Sequence, residues 1–305
     1  MADLSAELEK RGYRGRMVNI RRLRDLENEI QARYDQRLIS EDIYQILRAA
    51  LAFRIPDDMR EAHSLIIVAL PDPMFEVVFH QGGGPCTVDV PPTYLYYHEV
   101  NGRARKALED ILGTQQYAFA LARVPAKLLA VRSGLASYGK NNVSYVPGMG
   151  SYHRLAAFYS DYPCRQDHWR EPSMMKACET CSACLKSCPT KAITADRFLI
   201  RAERCLTFVN ENEGPFPEWV DPSWHHCLVG CLLCQTVCPQ NRGMLKTVRA
   251  REEFSESETA LLLKGGPARE LPKAVSEKLD HLGLLDYHEV LPRNLGVLLS
   301  GETQA

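Results

Sequence analysis

Residues 178–189 read CETCSACLKSCP, a run of four cysteines with the spacing C-x2-C-x2-C-x3-C-P. This is the spacing of thiolate ligands to [4Fe–4S] clusters. Gaps of two residues curl a loop so that three thiolates converge on one cubane, while the fourth cysteine points toward a second cluster. The run therefore predicts a protein that holds two clusters.

A second run, CLLCQTVCP at residues 231–239, repeats the pattern with one cysteine fewer. Because the last cysteine of each run ligates the other run's cluster, the ligands predicted for cluster one are Cys178, Cys181, Cys184 and Cys238. The ligands predicted for cluster two are Cys188, Cys231, Cys234 and one further cysteine. Either Cys205 or Cys227 supplies that last ligand, and Cys227 has a C-x3-C spacing to Cys231.

Zinc is the alternative occupant, because paired C-x2-C units also bind zinc. However, zinc does not require Cys-Pro after a three-residue gap, which occurs in both runs, so the pattern favours iron–sulfur clusters. The imidazoles of the neighbouring pair His225-His226 can also ligate metal. However, a histidine pair beside a loop is more often solvated or part of a core.

The chain of 305 residues has an ordinary globular composition, with 45% hydrophobic and 25% charged residues. Its net charge of -1 disfavours a generally basic nucleic-acid binder. Residues 10–24 are a local exception, with seven basic side chains and no acidic one. They indicate either an RNA contact or a solvated helix balanced by acids elsewhere. With no apolar run of membrane-spanning length and no visible secretory signal, we expect a cytoplasmic protein.

Composition and the positions of Gly and Pro residues divide the sequence into four segments. They are a helical N-terminal region (1–62), an α/β domain (63–171), the cysteine module (172–243) and a tail of helix and loop (244–305).

Within the α/β domain, short apolar runs predict strands and the residues between them predict helix or loop. The apolar run at 64–70 predicts a buried strand, and the Pro- and Gly-rich residues 71–95 predict a loop. Further strands are predicted at 142–146 and 152–159, and a helix at 125–131. The predicted fold class is therefore α+β.

Five segments resemble the epoxyqueuosine reductase family, whose members are cobalamin-dependent tRNA-modifying enzymes related to the reductive dehalogenases. The segments are Cys178–Pro189, Arg204–Phe208 and Gly230–Asn241, with Ala130–Asn141 and Gly150–Ala156 upstream. The resemblance covers about residues 60–243 and is strongest at the cysteines.

This resemblance implies a flavin-reductase-like α/β sandwich with an embedded bacterial ferredoxin-like module, and it favours Cys205 as the eighth cluster ligand. It also implies that residues 60–165 bind cobalamin and that the clusters pass it single electrons from a low-potential donor such as ferredoxin or flavodoxin. The positions expected near the corrinoid are Lys140, Asn141, Gly150 and Ser151. Their alternative role is ordinary loop and turn structure.

Two departures from the family concern the substrate. Where the family has a proposed proton-donating aspartate this chain has Ala120, and no carboxylate occurs between Asp110 and Asp161. A phenol would then be the acid, and the candidates by residue type are Tyr97, Tyr138, Tyr145 and Tyr152. The tail is also shorter than the helical repeats that many family members carry.

The two departures disfavour tRNA as the substrate, so the main hypothesis is a cobalamin-dependent iron–sulfur reductase that acts on a small molecule or an uncharacterised substrate. One alternative is an authentic tRNA epoxyqueuosine reductase, in which residues 10–24 would contact the tRNA. The other is a two-cluster electron-transfer protein without a substrate of its own, although such a carrier does not need the large N-terminal α/β domain.

Overall fold

The computed structural model describes residues 4–113 and 117–302 and contains both helices and strands, which confirms the α+β class. Contacts divide the chain into two units. Unit 1 lies within residues 1–71, 99–182 and 193–202, and unit 2 lies within residues 72–98, 183–192 and 203–305. Among the described residues, no helix combines the length and the apolar character that crossing a membrane requires.

Strands and helices mostly occur in short runs of one type along the chain. The strands are β1 (Arg14–Asn19), β2 (Ser64–Pro71), β3 (Met74–Gln81), β4 (Gly84–Val90), β5 (Phe119–Leu121), β6 (Ser137–Tyr138), β7 (Ser144–Tyr145), β8 (His153–Ser160) and β9 (Thr247–Phe254). The helices are α1 (Leu4–Lys10), α2 (Arg22–Asp35), α3 (Glu41–Ala50), α4 (Tyr97–Leu112), α5 (Ala126–Arg132), α6 (Ala183–Ser187), α7 (Leu206–Glu211), α8 (Leu233–Thr236), α9 (Glu256–Lys264), α10 (Lys273–Leu282) and α11 (Leu291–Glu302).

The main sheet of unit 1 has the strand order β1-β2-β8-β5, with antiparallel neighbours. Strand β2 is buried on both faces. Its residues Leu65 and Ile67 pack with α2 and α5, whereas Ile66 and Val68 pack with α4. Burial of both faces explains why this strand is continuously apolar instead of alternating. The strand predicted at 64–70 is confirmed.

Unit 2 contains a sheet of order β4-β3-β9, in which β3 is antiparallel to β4 and parallel to β9. The Phe79 ring of β3 stacks on the Phe254 ring of β9, with their centroids 4.9 Å apart. Leu262, Leu279 and Leu295, from helices α9, α10 and α11, belong to the same core. The C-terminal tail therefore builds much of the core of unit 2.

The loop predicted at 71–95 is wrong, because these residues form the β3–β4 hairpin. Gly82 and Gly83 lie at its turn with φ of +61° and +82°, a region that glycine enters without a Cβ clash. Pro85 lies in the outer strand β4, where a missing N–H is tolerated. Turn-forming residues were thus misread as a longer loop.

The expectations of a helical region at 1–62 and of helix and loop at 244–305 each missed a strand. Strand β1 lies in the first segment and strand β9 in the second. Both are outer strands of their sheets, and their charged side chains obscure the alternation that marks a strand.

Candidate functional site

The cysteine runs form short helices separated by tight turns. In unit 2, Cys184 lies on α6 and Cys234 on α8, and these two helices pack against each other. The backbone N–H of Cys188 donates to the Cys184 carbonyl at 3.1 Å, which ends the first run in a compact turn. All of the chain's cysteines are free thiols, so the predicted ligands are available to bind iron.

Three thiols of unit 2 that are distant in sequence interact with one another. Burial raises the pKa of Cys231 to about 12, and the thiols of Cys205 and Cys188 add to the shift. Burial also raises the pKa of Cys205, again with a contribution from Cys188. Cysteine binds metal as a thiolate, so iron binding here would release these protons. The fold thus brings Cys188, Cys205 and Cys231 together.

Cys227, the alternative to Cys205, has different neighbours. Its side chain is 1% exposed, and burial raises its pKa strongly, with contributions from Cys231 and from the Asp89 carboxylate. The backbone N–H of the next residue, Leu228, donates to the Asp89 carbonyl at 2.8 Å. These contacts hold Cys227 against strand β4, beside Cys231.

The pair His225-His226 divides into two environments. His226 Nδ1 lies 2.9 Å from the Trp224 carbonyl and donates to it, while its Nε2 lies 3.9 Å from the Cys231 sulfur. His225 packs on Phe216, and burial lowers the pKa of His225 to about 4, so this ring is neutral. The sequence indicates that this pair can ligate metal, and the structure brings one of its two rings, that of His226, close to a predicted cluster ligand.

In unit 1, the hairpin of β6 and β7 carries two of the positions expected near a corrinoid. A Cβ at Gly139 would lie 2.5 Å from Asn141 Oδ1 and 2.5 Å from a ring carbon of Tyr145, so only glycine fits there. Asn141 is 3% exposed, and its amide nitrogen donates to the Tyr145 hydroxyl at 3.1 Å. Lys140 projects from this hairpin and donates to the Cys181 carbonyl at 2.7 Å.

The other two expected positions follow in a tight turn. Gly150 has φ of +58°, and its N–H and carbonyl both bond to Val146. The buried ring of His153 bridges this turn to β7, because its nitrogens lie 3.1 Å from the Gly150 carbonyl and 3.1 Å from the Ser144 hydroxyl. Ser151 is 6% exposed. Sequence reasoning missed His153, which carries no motif of its own.

The four candidate tyrosines occupy different environments. Tyr145 lies on the hairpin and bonds to Asn141. Burial raises the pKa of Tyr138, whose phenol also bonds to Arg33. Tyr152 is 3% exposed. In unit 2, the Tyr97 hydroxyl donates to Asp286 at 3.1 Å. Tyr145 thus bonds to one residue expected to line the corrinoid site, Asn141.

Acids nearby neutralise much of the basic segment at 10–24. Lys10 pairs with Glu7 at 2.6 Å, and Arg14 pairs with Glu9 at 3.1 Å. Arg22 pairs with Asp167 at 2.9 Å. These pairs fit the interpretation of a solvated surface. The segment is also more than a helix, because it includes β1.

Comparison with known proteins identifies the cysteine module. Residues 177–241 match the family model of a 4Fe-4S double cluster binding domain. The match confirms the prediction of two [4Fe–4S] clusters and disfavours zinc.

Epoxyqueuosine reductases are among the relatives with similar sequences. That of Bacillus subtilis (strain 168) is 30% identical over 153 residues, which cover 48% of this chain and 38% of the relative. That of Lactococcus garvieae (strain Lg2) is 32% identical over 155 residues, which cover 48% of this chain and 42% of the relative. The matches thus span about two fifths of the length of these relatives. They confirm the resemblance seen in the sequence.

Solved epoxyqueuosine reductases share the fold. A selenomethionine-labelled one matches with a TM-score of 0.68 and 21% identity, covering 99% of this chain and 81% of that one. Another, with a tRNA-Tyr epoxyqueuosine-modified stem loop, matches with a TM-score of 0.59 and 22% identity, covering 91% of this chain and 82% of that one.

Proposed function

We propose that this chain is a cobalamin-dependent iron–sulfur reductase resembling epoxyqueuosine reductase, in which two [4Fe–4S] clusters pass electrons to a corrinoid that reduces the substrate. One observation carries the proposal: the double-cluster module occurs in the same chain as the fold of solved epoxyqueuosine reductases. An electron carrier would need the module but not the rest of that fold.

The proposed cluster ligands are eight of the free cysteines. Cluster one takes Cys178, Cys181, Cys184 and Cys238, and cluster two takes Cys188, Cys205, Cys231 and Cys234. The interaction of the Cys205 thiol with those of both Cys188 and Cys231 supports Cys205 over Cys227 as the eighth ligand. Thiols are also the donors that such clusters require.

For the corrinoid, we propose that unit 1 contributes a flavin-reductase-like sandwich whose β6–β7 hairpin and following turn contact the cofactor. Lys140, Asn141, Gly150 and Ser151 are the contact residues in this proposal. The fit is supported by Asn142, whose buried amide nitrogen has no hydrogen-bond partner in the part of the chain that the structure describes. A polar group of the cofactor would satisfy that donor. When bound, the corrinoid supplies a low-potential metal centre for the reduction.

For the proton that the reduction consumes, we propose Tyr145. Its hydroxyl accepts a hydrogen bond from Asn141, one of the residues proposed to contact the cofactor. Ala120 lies on β5, opposite Tyr159, and its methyl side chain cannot act as an acid. Tyr97, Tyr138 and Tyr152 remain the other candidates.

The proposed substrate is epoxyqueuosine in tRNA or a related small molecule, and the proposed donor is a low-potential carrier such as ferredoxin or flavodoxin. The tRNA alternative is favoured by similarity to the epoxyqueuosine reductase solved with a tRNA stem loop. Both substrates would be met in the cytoplasm, which we propose as the protein's location.

Anaerobic reconstitution tests the proposal. We expect about eight irons per chain and, after addition of cobalamin, the EPR spectrum of a base-off Co(II) corrinoid. Conversion of epoxyqueuosine in a tRNA stem loop, with a strong chemical reductant, then tests the substrate. The matched variant Cys231→Ala should still bind cobalamin but fail to relay electrons to it.

About eight irons without any corrinoid binding would overturn the reductase and favour the electron carrier. Corrinoid binding without conversion of the tRNA stem loop would reject tRNA and leave the small molecule as the substrate.

A further inference from the structure

One hydrogen bond joins the corrinoid hairpin to the ligand loop of cluster one. Lys140 Nζ donates to the backbone carbonyl of Cys181 at 2.7 Å, although the two residues are 41 positions apart in sequence. Both belong to unit 1. The contact places a side-chain ammonium at a residue that is itself a predicted ligand.

The backbone around this bond runs along the same hairpin. The N–H of Tyr138, on β6, donates to the Ser173 carbonyl at 2.8 Å, and the N–H of Met175 donates to the Tyr138 carbonyl at 2.9 Å. The N–H of Cys178 then donates to the Met175 carbonyl at 2.9 Å. These backbone hydrogen bonds attach the segment that carries Cys178 and Cys181 to β6, and the Lys140 side chain adds a further bond to the same segment.

The hairpin also holds Lys140 in position. The close approach of Gly139 to Asn141 and Tyr145 restricts the backbone on one side of Lys140. On the other side, the N–H of Val143 donates to Asn141 Oδ1 at 3.3 Å, and Asn142 has φ of +60°. These contacts restrict where the lysine can point and lower the entropy cost of its bond to Cys181.

A cation hydrogen-bonded to a ligand residue changes the energy of an electron on the cluster. Each electron that a [4Fe–4S] cluster accepts adds one negative charge, and nearby net charge and hydrogen bonds set its potential. A positive charge within a few ångströms, at the reduced dielectric of a partly buried site, favours the reduced state. The hydrogen bond also withdraws charge from the Cys181 peptide, which acts in the same direction.

We propose that Lys140 is a positioning residue that anchors the cluster-one loop and raises the reduction potential of cluster one. The inference rests on the ligand sets of the proposed function. Cluster one would then be the cluster that passes electrons to the corrinoid, since its Cys181 loop is bonded to the hairpin proposed to hold that cofactor. Each electron that it accepts would be one that cluster two loses.

The test is an EPR-monitored redox titration of the cluster-loaded full chain without added corrinoid. We expect Lys140→Met to retain about eight irons and to shift one of the two cluster midpoints to a lower potential. Lys140→Arg, which keeps the charge, should return that midpoint toward the wild-type value. Cys181→Ser identifies which signal belongs to cluster one, because it should perturb the same signal.

Lys127→Met is the matched control, because Lys127 Nζ donates to the Asn142 carbonyl of the same hairpin at 3.5 Å. It should leave both midpoints unchanged. Unshifted midpoints in Lys140→Met at full iron content would overturn the inference. So would equal loss of cluster one in Lys140→Met and Lys140→Arg, which would indicate a purely structural role. Neither result depends on cobalamin, so failure here is distinct from failure of the proposed function.

Discussion

His153 Nδ1 lies 3.1 Å from the Gly150 carbonyl oxygen, inside a core where the His153 side chain is 4% exposed. A carbonyl can only accept, so Nδ1 carries the proton and Nε2 accepts from the Ser144 hydroxyl. Burial lowers the pKa of His153 from the ordinary 6.5 to about 4. The ring is therefore neutral in the folded protein at pH 7.

This pKa shift predicts a pH dependence of stability. Between pH 6.5 and 4 the unfolded chain binds a proton at His153 that the folded protein does not, so stability falls as the pH is lowered through that window. The His153 contribution should fall by about 2 kcal/mol between pH 7 and pH 5. Above pH 6.5 it should be constant.

Urea unfolding of the wild type and of His153→Asn, at matched iron content, measures this contribution. The wild type should be more stable at pH 7, and the difference should shrink by about 2 kcal/mol at pH 5. His63→Asn, at an exposed histidine of the same unit, is the control for the general effect of replacing a histidine with asparagine. A wild-type advantage that is equal at the two pH values would contradict a neutral His153.

Gly139 and Gly102 give a matched pair of glycine-to-alanine substitutions in unit 1. A Cβ at position 139 would overlap Asn141 and Tyr145, whereas a Cβ at position 102, within α4, has nothing within 4 Å. Gly139→Ala should lower the unfolding free energy by about 1–3 kcal/mol and weaken cobalamin binding. Gly102→Ala should raise stability by up to about 1 kcal/mol, because alanine favours helix. Thermal unfolding and cobalamin titration check both variants, and equal melting temperatures would contradict the packing argument.

Local patterns in the sequence were sufficient where structure and chemistry depend on neighbouring residues. The apolar run of β2 and the two cysteine runs are of this kind, and both predictions are confirmed. Strand β9 was missed because its charged side chains obscure the alternation that marks a strand. The bond from Lys140 to Cys181 was missed because neither residue signals a partner so distant in sequence.

The C-terminal tail is hydrogen-bonded to the segments that carry cluster-two ligands. A substitution in the tail, distant in sequence from the cysteines, should therefore affect how well cluster two is retained. The Asn294 amide donates to the carbonyls of Asn210 and Leu228, at 2.8 and 2.9 Å. Asn294→Ala would leave both buried acceptors without this donor and should cost about 2–4 kcal/mol. We expect a lower melting temperature and faster loss of iron from about eight to about four per chain.

Arg269→Ala, at an exposed position of the same tail, is the control for this prediction. It should change stability by no more than about 0.5 kcal/mol. If Asn294→Ala lost iron no faster than Arg269→Ala, the tail would have no role in retaining cluster two.

The choice between Cys205 and Cys227 predicts opposite iron contents for two otherwise similar variants. Cys205 interacts with both Cys188 and Cys231, whereas Cys227 interacts with Cys231 and Asp89. Cys205→Ala should therefore lose one cluster and retain about four irons, and Cys227→Ala should retain about eight. Iron and sulfide analysis after anaerobic reconstitution, with EPR of the reduced protein, distinguishes the two results.

Both substitutions remove a buried or partly buried sulfur, so a general packing defect should affect the two variants alike. The difference between them therefore isolates ligation. Loss of a cluster in Cys227→Ala, with about eight irons kept in Cys205→Ala, would transfer the eighth ligand to Cys227. Cluster two would then be held by Cys188, Cys227, Cys231 and Cys234, and two of its four ligands, Cys227 and Cys231, would have C-x3-C spacing.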